Sequence, residues 1–415
     1  MKHFLDYYAD EKYGLSVPDE NIIEGHRGNE KTKKISLSDS LDNPVNSKRL
    51  VELASESEKI VLVVEDHTRH SPVYETLVEL KKRFSSNGIP WDRVTILVAT
   101  GTHRMMTDRE LREKFGEFTD FSKIIQHDAH DSENIIDYGS FLDVPLKINA
   151  MVEADLTVCI GAIVPHRFSG WSGGSKMIVP GVAGYETVFK SHHMAILNSN
   201  ANVGIAKNKF RSLINEAGRR AGVDFIINYY FDANGKIAGC VSGDPVAAHE
   251  EGIRLAEKEV EVIYDRRSDV TFISSYPSVN DFWQSGKALY TADLITKDRG
   301  KIVMISPLFE GFGDHPVFAQ MLRKNSGEIL KELESLSGED PLAYVAAYAV
   351  KKIMEKKEIH IISETEYVED FKKIGLKITG ESEPLEREVS DKNLKVIVLN
   401  NCLILPKIKN QEVFI

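Results

Sequence analysis

Cysteine is scarce in this sequence. Its 415 residues include three cysteines, Cys159, Cys240 and Cys402, and no two of them form a CxxC pair. An odd number of widely separated cysteines argues against a disulfide framework, and the missing CxxC pairs argue against a thiolate zinc site. Because free cysteine packs as a small hydrophobic residue, we interpret all three as buried or inert thiols in a reducing cytoplasm.

Long apolar runs are missing as well. No stretch approaches the roughly 18 apolar residues that a membrane-spanning helix needs. The chain starts with MKHFLDYYADEKYG, which is charged and lacks the apolar segment of a secretory signal. We therefore expect no signal peptide and no membrane partner.

Positive charge is in deficit. The chain has 52 Lys and Arg residues against 63 Asp and Glu residues, which gives a formal net charge of -11. Nucleic acids bind to basic surfaces, so this balance argues against a nucleic-acid partner. Hydrophobic residues make up 42% and charged residues 28% of the sequence. These values are typical of a soluble globular protein and fit a cytoplasmic metabolic enzyme.

Three common catalytic signatures are also absent. The sequence contains no GxGxxG fingerprint, no Walker A motif of the form GxxxxGK[ST], and no HExxH. These absences argue against a dinucleotide-binding turn, a P-loop and a zincin metal site.

Apolar runs alternate with amphipathic helical patterns along the chain. The runs predict strands at 59–64, 94–99, 154–160, 225–230, 270–274, 301–305, 359–362 and 395–400. The stretches 72–84 and 107–115 between them have the apolar spacing of helices. Strands separated by helices predict an α/β fold with mostly parallel sheets.

The length of the chain predicts two domains, since 415 residues are too many for one ordinary core. The charged helical pattern at 245–262 ends near 265–269, where a new alternation of strands and helices begins. We expect a catalytic α/β domain at 1–264 and a smaller α/β domain at 265–402. The segment 403–415 follows the last predicted strand and is a candidate to pack back onto the first domain.

Polar side chains follow three of the predicted strands at the points where they end. The sequence DHTR at 66–69 follows the first run, GTHR at 101–104 follows the second, and His166 comes after the third. Parallel sheets bind ligands at the carboxyl ends of their strands. Eight of the thirteen histidines lie between residues 67 and 193. This concentration favours one shared site over scattered surface residues.

The segment 165–193, PHRFSGWSGGSKMIVPGVAGYETVFKSHH, is the most informative part of the sequence. Small residues at 169–175 allow the backbone to approach a ligand and to present amide groups to an anion. Lys176 follows and enters an apolar run, where desolvation would make it a nucleophile or a covalent attachment point. His192 and His193 are candidate metal ligands, and only one of the two neighbours is expected to face the site.

The second predicted domain contributes one local cluster, NDFWQSGK at 280–287. Gln284 and Lys287 are three residues apart, so a helix places both on one face. Together a lysine and a glutamine can bind a carboxylate or a phosphate. The sequence therefore predicts an anion-binding group here.

These residues together resemble the nickel-pincer lactate racemase family. The matching pieces, in chain order, are Asp66-His67-Thr68-Arg69, Gly101-Thr102-His103-Arg104, the segment from His166 to Lys176, Pro180-Gly181-Val182-Ala183-Gly184, His192 and Gln284-Ser285-Gly286-Lys287. Their order and the steps of ten and sixteen residues around Lys176 make the combination specific. The resemblance covers nearly the whole chain.

The resemblance implies a racemase or epimerase of 2-hydroxy acids that works by hydride transfer. Lys176 would carry a pyridinium-3-thioamide-5-thiocarboxylate mononucleotide, the nickel-pincer nucleotide, with nickel bound to its two sulfurs and a ring carbon. His192 would supply the remaining nickel ligand, and His103 and His166 would be the two acid/base residues. The other implied contacts are those of Arg69, Trp283, Gln284 and Lys287 with the substrate, and those of Asp66, Thr68, Ser172, Gly173 and Gly174 with the cofactor.

This chemistry explains the need for two histidines. The hydrogen on the hydroxyl-bearing carbon is a poor acid, whereas removal of the hydroxyl proton together with a hydride leaves a planar keto acid. The hydroxyl points in different directions in the two enantiomers, so each needs its own acid/base residue. The implied partners are the 2-hydroxy acid and the enzymes that synthesise the nickel nucleotide. The active site is expected in the cleft between the two domains.

Trp283 departs from the family pattern, because lactate-racemising members usually carry a tyrosine beside the glutamine. The added bulk and the missing hydroxyl should reshape the substrate pocket. They argue against lactate itself as the substrate more than against the racemase chemistry. The substrate is therefore lactate or a related or larger hydroxy acid.

Two other classes of function stay open. In one, His103, His166 and His192 bind zinc directly in a hydrolase or lyase. In the other, the glycine- and serine-rich loop belongs to a non-catalytic protein that binds a small anion. The sequence leaves the oligomeric state and the choice between His192 and His193 undecided.

Overall fold

A computed structural model describes residues 2–8, 10–28, 34–69, 71–197, 201–313, 315–335 and 340–410. Residues 411–415, the end of the C-terminal segment considered above, lie outside the described residues.

The strands are numbered in chain order. They are β1 Lys2–Tyr8, β2 Glu11–Ser16, β3 Ile60–Glu65, β4 Val94–Ala99, β5 Lys123–Gln126, β6 Ile135–Phe141, β7 Val144–Asn149, β8 Leu156–Ile163, β9 Pro165–His166, β10 Gly170–Trp171, β11 Val223–Phe231, β12 Ile237–Gly243, β13 Glu261–Tyr264, β14 Ser268–Ser274, β15 Thr296–Ile305, β16 Glu358–Ile362, β17 Lys377–Thr379, β18 Val396–Leu399 and β19 Leu405–Ile408.

The helices are numbered in the same way. They are α1 Leu37–Asp42, α2 Leu50–Ser55, α3 Val73–Ser86, α4 Asp108–Phe115, α5 Phe118–Phe121, α6 Tyr185–Leu197, α7 Lys209–Arg220, α8 Ala247–Val260, α9 Phe282–Asp293, α10 Pro316–Met321, α11 Ser326–Ser335, α12 Pro341–Met354, α13 Val368–Lys373 and α14 Glu383–Glu388. A 3-10 helix spans Gly174–Met177.

The first large sheet has the strand order β12-β11-β8-β3-β4-β5. All neighbours are parallel except β12, which pairs antiparallel with β11 at the edge. Every residue of β3 is buried, as expected for a strand with both faces covered. Leu62 packs in the core on one face and Val63 in the core on the other, because successive side chains point to opposite sides of a strand.

The second large sheet has the order β17-β16-β15-β14-β18 and is parallel throughout its described strands. Phe272 and Ile273 of β14 enter separate cores on its two faces. The prediction of an α/β fold with mostly parallel sheets is confirmed.

The N-terminal hairpin of β1 and β2 packs on the second sheet rather than the first. Leu5 and Leu15 share a core with Val270 and Phe272, and the Asp6 amide donates to the Asn400 carbonyl. The predicted boundary at residue 264 places this hairpin with the first sheet. Its apolar positions show which face is buried but not which sheet will cover it, so the pattern alone could not assign it.

The C-terminal segment returns across the molecule. Strand β19 pairs in parallel with β13. Leu405 packs in one cluster with Ile163 and Trp171, which belong to the part of the chain around the first sheet. Among the described residues, no helix is long and apolar enough to cross a membrane.

Helix α6 contributes to two cores. Val188 packs in the core of the first sheet, whereas Phe189 and Ile196 pack against the core of the second sheet. The helix also lies against α12. It therefore joins the packing of both large sheets.

Candidate active site

Three neighbouring parallel strands of the first sheet, β8, β3 and β4, end at the same edge. Strand β8 is longer than predicted, since its pairing with β11 continues to Ile163 instead of stopping at residue 160. His166 lies in the short strand β9, which pairs with β10. The polar residues that follow these strands are therefore brought to one end of the sheet, where ligands bind in such folds.

Asp66 begins a chain of hydrogen bonds just after β3. Asp66 is 2% exposed, and its Oδ1 accepts from the Thr68 amide at 3.0 Å and from the Thr68 hydroxyl at 2.6 Å. Arg69 donates in turn to Thr68 Oγ1 at 2.7 Å. Lys114, which the sequence did not indicate, donates to the Arg69 carbonyl at 2.9 Å. This chain holds Arg69 at the edge of the sheet.

Asp66 also forms a pair with His103. The distance between His103 Nδ1 and Asp66 Oδ2 is 2.6 Å. Burial raises the pKa of Asp66, but the hydrogen bond from His103 and the charges of His103 and Arg69 outweigh it and hold the pKa well below its usual range. An ionised Asp66 accepts a proton-bearing Nδ1, which leaves the lone pair of the neutral ring on Nε2. That Nε2 lies 3.5 Å from the Gln284 side-chain nitrogen.

His166 has the opposite arrangement around its Nδ1. The backbone amides of Phe168 and Ser169 both donate to this atom at 3.3 Å, and the Ser169 hydroxyl lies 3.1 Å away. Two amide donors favour an unprotonated Nδ1, so the neutral ring carries its proton on Nε2. Burial and the charges of Lys176 and Lys287 hold the pKa of His166 well below its usual range.

The loop before Lys176 is held by buried side chains from three different elements. Arg211 of α7 donates to the carbonyls of Trp171 and Gly173. His249 of α8 donates to the Ser172 carbonyl at 2.7 Å. Asn228 of β11 accepts from the Gly174 amide at 2.7 Å. We call these three side chains, Arg211, His249 and Asn228, the loop clamp.

The predicted cofactor contacts Ser172, Gly173 and Gly174 lie within this clamped loop. The Ser172 hydroxyl donates to the Ala162 carbonyl at 2.6 Å. A Cβ on Gly173 would lie 2.7 Å from Asn228 Oδ1, and one on Gly174 would lie 3.0 Å from the His249 ring. Both glycines have positive φ, of 81° and 61°. The clamp and the backbone conformation thus account for these small residues, and their contact with a cofactor stays a prediction.

Lys176 lies on the 3-10 helix that follows the loop. Burial and the charges of Arg69 and Lys287 hold the pKa of its amine well below the usual range. No hydrogen bond joins its Nζ to another described residue. A desolvated amine whose charged form is disfavoured, and which has no hydrogen-bond partner among the described residues, is suited to nucleophilic attack and to covalent attachment.

His192 is the better placed of the two adjacent histidines. Its Nδ1 lies 2.8 Å from the Val188 carbonyl and donates to it, which leaves the Nε2 lone pair for another partner. Burial lowers the pKa of His192 to about 4, and Lys176 is close enough to contribute. The His193 ring stacks on Phe189 with 5.7 Å between the centroids.

Helix α9 brings the second sheet into the site. Asp281 caps its start by accepting from the Gln284 amide at 2.7 Å. Lys287 donates to Gln284 Oε1 at 2.7 Å, as their spacing predicts. Burial, followed by the charge of Arg69, lowers the pKa of Lys287 to about 7. An anion beside Arg69 and Lys287 would relieve this repulsion between like charges.

Trp283 is on the same helix but faces a different neighbour. Its ring stacks on His315 with 4.0 Å between the centroids and 20° between the planes. The rings of Trp283 and Phe318 form an edge-to-face pair with 5.2 Å between their centroids. His315 Nδ1 in turn lies 2.9 Å from Asp340. No sequence pattern indicated this stack, because His315 follows a separate strand.

A cavity of about 360 Å³ opens beside these residues. It is lined by His67 and His103 from the loops after β3 and β4, by Gln284 of α9, and by Ser278 and His315 from the segments before α9 and α10. Lys176, His166, His192 and Lys287 are not among its lining residues. Its size falls in the usual range of small-molecule sites.

The zinc alternative finds no matching ligand set in the part of the chain that the structure describes. There, no three His, Cys, Asp or Glu side chains form a group that could hold a metal ion. His103, His166 and His192 each have Nδ1 hydrogen-bonded within the protein, so Nε2 is the atom open to another partner. The three side chains do not form a metal-binding group with one another.

Comparison with known proteins gives a consistent result. The family model for the lactate racemase N-terminal domain matches residues 8–204. A lactate racemase of Thermoanaerobacterium thermosaccharolyticum is 29% identical over 416 residues, which cover 94% of this chain and 96% of the relative. A lactate racemase of Lactiplantibacillus plantarum is 33% identical over 294 residues, which cover 69% of this chain and 68% of the relative.

Solved structures agree with the sequence matches. The lactate racemase apoprotein from T. thermosaccharolyticum has a TM-score of 0.87 at 26% identity, and the match covers 99% of this chain and 100% of that one. A protein from Thermotoga maritima has a TM-score of 0.73 at 18% identity over 91% of this chain and 99% of that one, which supports the fold alone. The similarity in sequence and fold shows that this chain belongs to the lactate racemase family and is an isomerase of the racemase class.

Proposed function

We propose that this protein racemises or epimerises a 2-hydroxy acid, with a nickel-pincer nucleotide attached to Lys176. One observation carries the proposal. Lys176 and Lys287 lie with Arg69 in a cluster of like charge, and two histidines with opposite hydrogen-bonding at Nδ1 lie around the same cluster. This arrangement suits an anionic substrate and two proton-transfer groups.

The residues present fit the proposed cofactor. Lys176 offers an amine with no described hydrogen-bond partner. His192 offers a neutral nitrogen donor at Nε2, because its Nδ1 donates to Val188. Soft sulfur donors together with imidazole suit nickel, and the described residues alone do not supply a full ligand set. We propose His192 rather than His193 as the nickel ligand.

When bound, the nickel nucleotide would supply the acceptor for the hydride of the hydroxyl-bearing carbon and return that hydride to either face. The chain itself binds and orients the substrate. Arg69, Gln284 and Lys287 would hold its carboxylate through charge-assisted hydrogen bonds. Asp66 and Thr68 keep Arg69 and His103 in place and would border the cofactor.

Proton transfer is assigned to the two histidines. In the neutral form of His103 the lone pair lies on Nε2, because Nδ1 donates to the ionised Asp66, so this atom would accept the hydroxyl proton of one enantiomer. His166 presents its Nε2 proton and would hold the oxygen of the other enantiomer. Burial, together with the charges of Lys176 and Lys287, lowers the pKa of His166 and favours its neutral form.

The placement of the site extends this proposal. The cavity is lined by residues that belong with both large sheets. This supports a site in the cleft between a catalytic and cofactor-anchoring part within 1–264, apart from the hairpin of β1 and β2, and a smaller part at 265–402. The cofactor-synthesis enzymes would be the partners that supply the nickel nucleotide.

Intact-mass analysis of protein produced together with those synthesis enzymes tests the attachment. We expect a mass increase in the wild type that is lost in Lys176→Ala and kept in Lys209→Ala, a control at an exposed lysine. Racemisation, followed by chiral product analysis, should be present only in protein that carries the added mass. An active enzyme with an unmodified Lys176 would overturn the proposal.

A further inference from the structure

The segment Pro180–Gly184 connects the backbone of Lys176 to the turn that carries His103. The Gly181 amide donates to the Lys176 carbonyl at 3.3 Å, and the Gly181 carbonyl accepts from the Gly101 amide at 2.8 Å. His103 follows Gly101 by two residues in the same turn. One glycine therefore joins the main chain at the lysine of the proposed attachment to the main chain beside the first acid/base histidine.

Gly181 permits this connection because it has no side chain. A Cβ there would lie 2.3 Å from the Met177 carbonyl oxygen and 2.9 Å from the Ala99 Cβ. Both distances are shorter than van der Waals contact, so a side chain would push the backbone of Lys176 away from the end of β4. Two backbone hydrogen bonds contribute little net stability, so the position of the segment depends on the residues that hold it.

The ring of His127, the residue after β5, holds the far end of this segment. His127 is 1% exposed. Its Nε2 lies 3.0 Å from the Ala183 carbonyl oxygen and donates to it, and its Nδ1 accepts from the Asn149 side-chain NH2 at 3.1 Å. The Asn149 amide donates to the Val182 carbonyl at 2.9 Å. Burial lowers the pKa of His127, which favours the neutral ring with one donor and one acceptor that these contacts require.

The main chain of His127 is bound to the end of β4. Its amide donates to the Val98 carbonyl at 3.1 Å, and the Thr100 hydroxyl donates to its carbonyl. The Thr100 carbonyl in turn accepts from the His103 amide at 3.0 Å. His127 thus contacts the residues that lead into the His103 turn through its backbone, and the segment Pro180–Gly184 through its ring. None of these contacts uses a side chain to which substrate or cofactor binding is assigned.

We propose that His127 is a positioning residue that keeps Lys176 and His103 in a fixed relative arrangement. This inference rests on the proposed function, in which the group on Lys176 accepts the hydride and His103 takes the hydroxyl proton. The hydride and the proton leave adjacent atoms of the substrate, so both groups must be aligned with it at once. A displacement of about 1 Å between reacting groups costs about 10²-fold in rate. The substrate carboxylate is held elsewhere, by Arg69 and Lys287, so its binding should change little.

The test compares His127→Leu, which removes both hydrogen bonds of the ring, with His127→Gln, which keeps a donor toward Ala183. Inversion of lactate, 2-hydroxybutyrate and phenyllactate is followed by chiral chromatography, and rates are divided by the fraction of protein that carries the mass increase at Lys176. For the acid that the wild type inverts fastest, we expect kcat per loaded molecule to fall about tenfold or more in His127→Leu, with KM changed by less than about threefold. His127→Gln should recover most of the lost kcat.

A residue that only supports folding would give a different result. His127→Leu would then have a lower yield or melting temperature, but each loaded molecule would keep the wild-type kcat. That result, or equal kcat values in His127→Leu and His127→Gln, would overturn the inference while leaving the proposed function intact. Loaded wild-type protein that inverts none of the three acids would instead count against the proposed function.

A second pair of variants serves if His127→Leu does not fold. Thr100→Val keeps the shape of the side chain and removes only the hydroxyl that donates to the His127 carbonyl, whereas Thr100→Ser keeps a hydroxyl. Loaded Thr100→Val should have a lower kcat at a similar KM, and Thr100→Ser should recover it. His26→Gln, at an exposed histidine, is the control and should leave kcat unchanged. Equal kcat values in loaded Thr100→Val and Thr100→Ser would show that His127 does not position the His103 turn.

Discussion

Replacement of Asp66 by asparagine gives the sharpest test of how His103 is prepared for proton transfer. In the wild type, Asp66 Oδ1 accepts two hydrogen bonds from Thr68, and Oδ2 accepts one from His103 Nδ1 at 2.6 Å. An asparagine that keeps its oxygen toward Thr68 must turn its NH2 group toward His103. The ring would then accept at Nδ1 and carry its proton on Nε2, where it cannot take the hydroxyl proton of the substrate.

The expected loss of activity is large. The wrong histidine tautomer reduces kcat by about 10⁴ in serine-protease triads. We expect a fall of about 10³ to 10⁴ in kcat for Asp66→Asn, which corresponds to about 4 to 5.5 kcal/mol in the activation barrier. The substrate KM should change much less, since Arg69, Gln284 and Lys287 remain.

Racemisation rates and intact mass should be measured on the same preparation. The mass increase at Lys176 must be equal in the wild type and Asp66→Asn, so that the loss is assigned to proton transfer and not to cofactor loading. Asp232→Asn is the matched control, because Asp232 lies in a turn after β11 and also accepts hydrogen bonds from backbone amides, those of Asn234 and Lys236. A fully loaded Asp66→Asn variant with wild-type kcat would refute the tautomer argument.

The same variant predicts a pH-dependent difference in stability. The pKa of Asp66 is lower in the folded protein than the usual value of about 3.9. A lowered carboxyl pKa contributes stability above that usual value, and the contribution is lost as the pH falls through the folded pKa. Unfolding in urea should therefore show Asp66→Asn less stable at pH 7 by about 1.5 to 3 kcal/mol, with a smaller difference at pH 3. A constant difference would contradict this account.

Three further predictions follow from the site and the core. His249→Phe should reduce several-fold the fraction of protein that carries the mass increase at Lys176, whereas His249→Gln, which keeps a donor toward Ser172, should retain it. The same fraction in both variants would show that the loop clamp does not position Lys176. Because the pKa of Lys287 is lowered to about 7, its charge is lost as the pH rises above that value, so the substrate KM should increase between pH 7 and 9 in the wild type but not in Lys287→Arg. Leu62→Ala in the fully buried strand β3 should lower the free energy of unfolding by about 2 to 5 kcal/mol in urea titrations, and a loss below 1 kcal/mol would show that this core is loosely packed.

Local sequence patterns predicted those strands and helices whose ends depend on residues close together in the sequence. Strand β4 spans Val94–Ala99 as its apolar run indicated, and the helix at 107–115 begins one residue later with Thr107 as its cap. The end of β8 was placed too early. The run of apolar residues does not stop at residue 160, and its end depends on pairing with β11.

The candidate site was predictable where the residues follow strands or share a helix face. His103 lies at the edge of the sheet that its position indicated, and Gln284 and Lys287 are hydrogen-bonded to each other. The loop clamp could not be predicted, because its three side chains come from separate elements and gain their role only when those elements pack together. The Asp66–His103 pair likewise joins two strand ends that are far apart along the chain.

Helix α6 has a consequence for how the protein unfolds. Val188 of this helix packs in the core of the first sheet, and Phe189 and Ile196 pack against the core of the second. His192 lies between Phe189 and Ile196 in the sequence. Neither half can lose its packing without exposing an apolar face of this helix, so the two halves should unfold in a single cooperative transition. A ligand bound to His192 would then raise the melting temperature of the whole chain and not of one half alone.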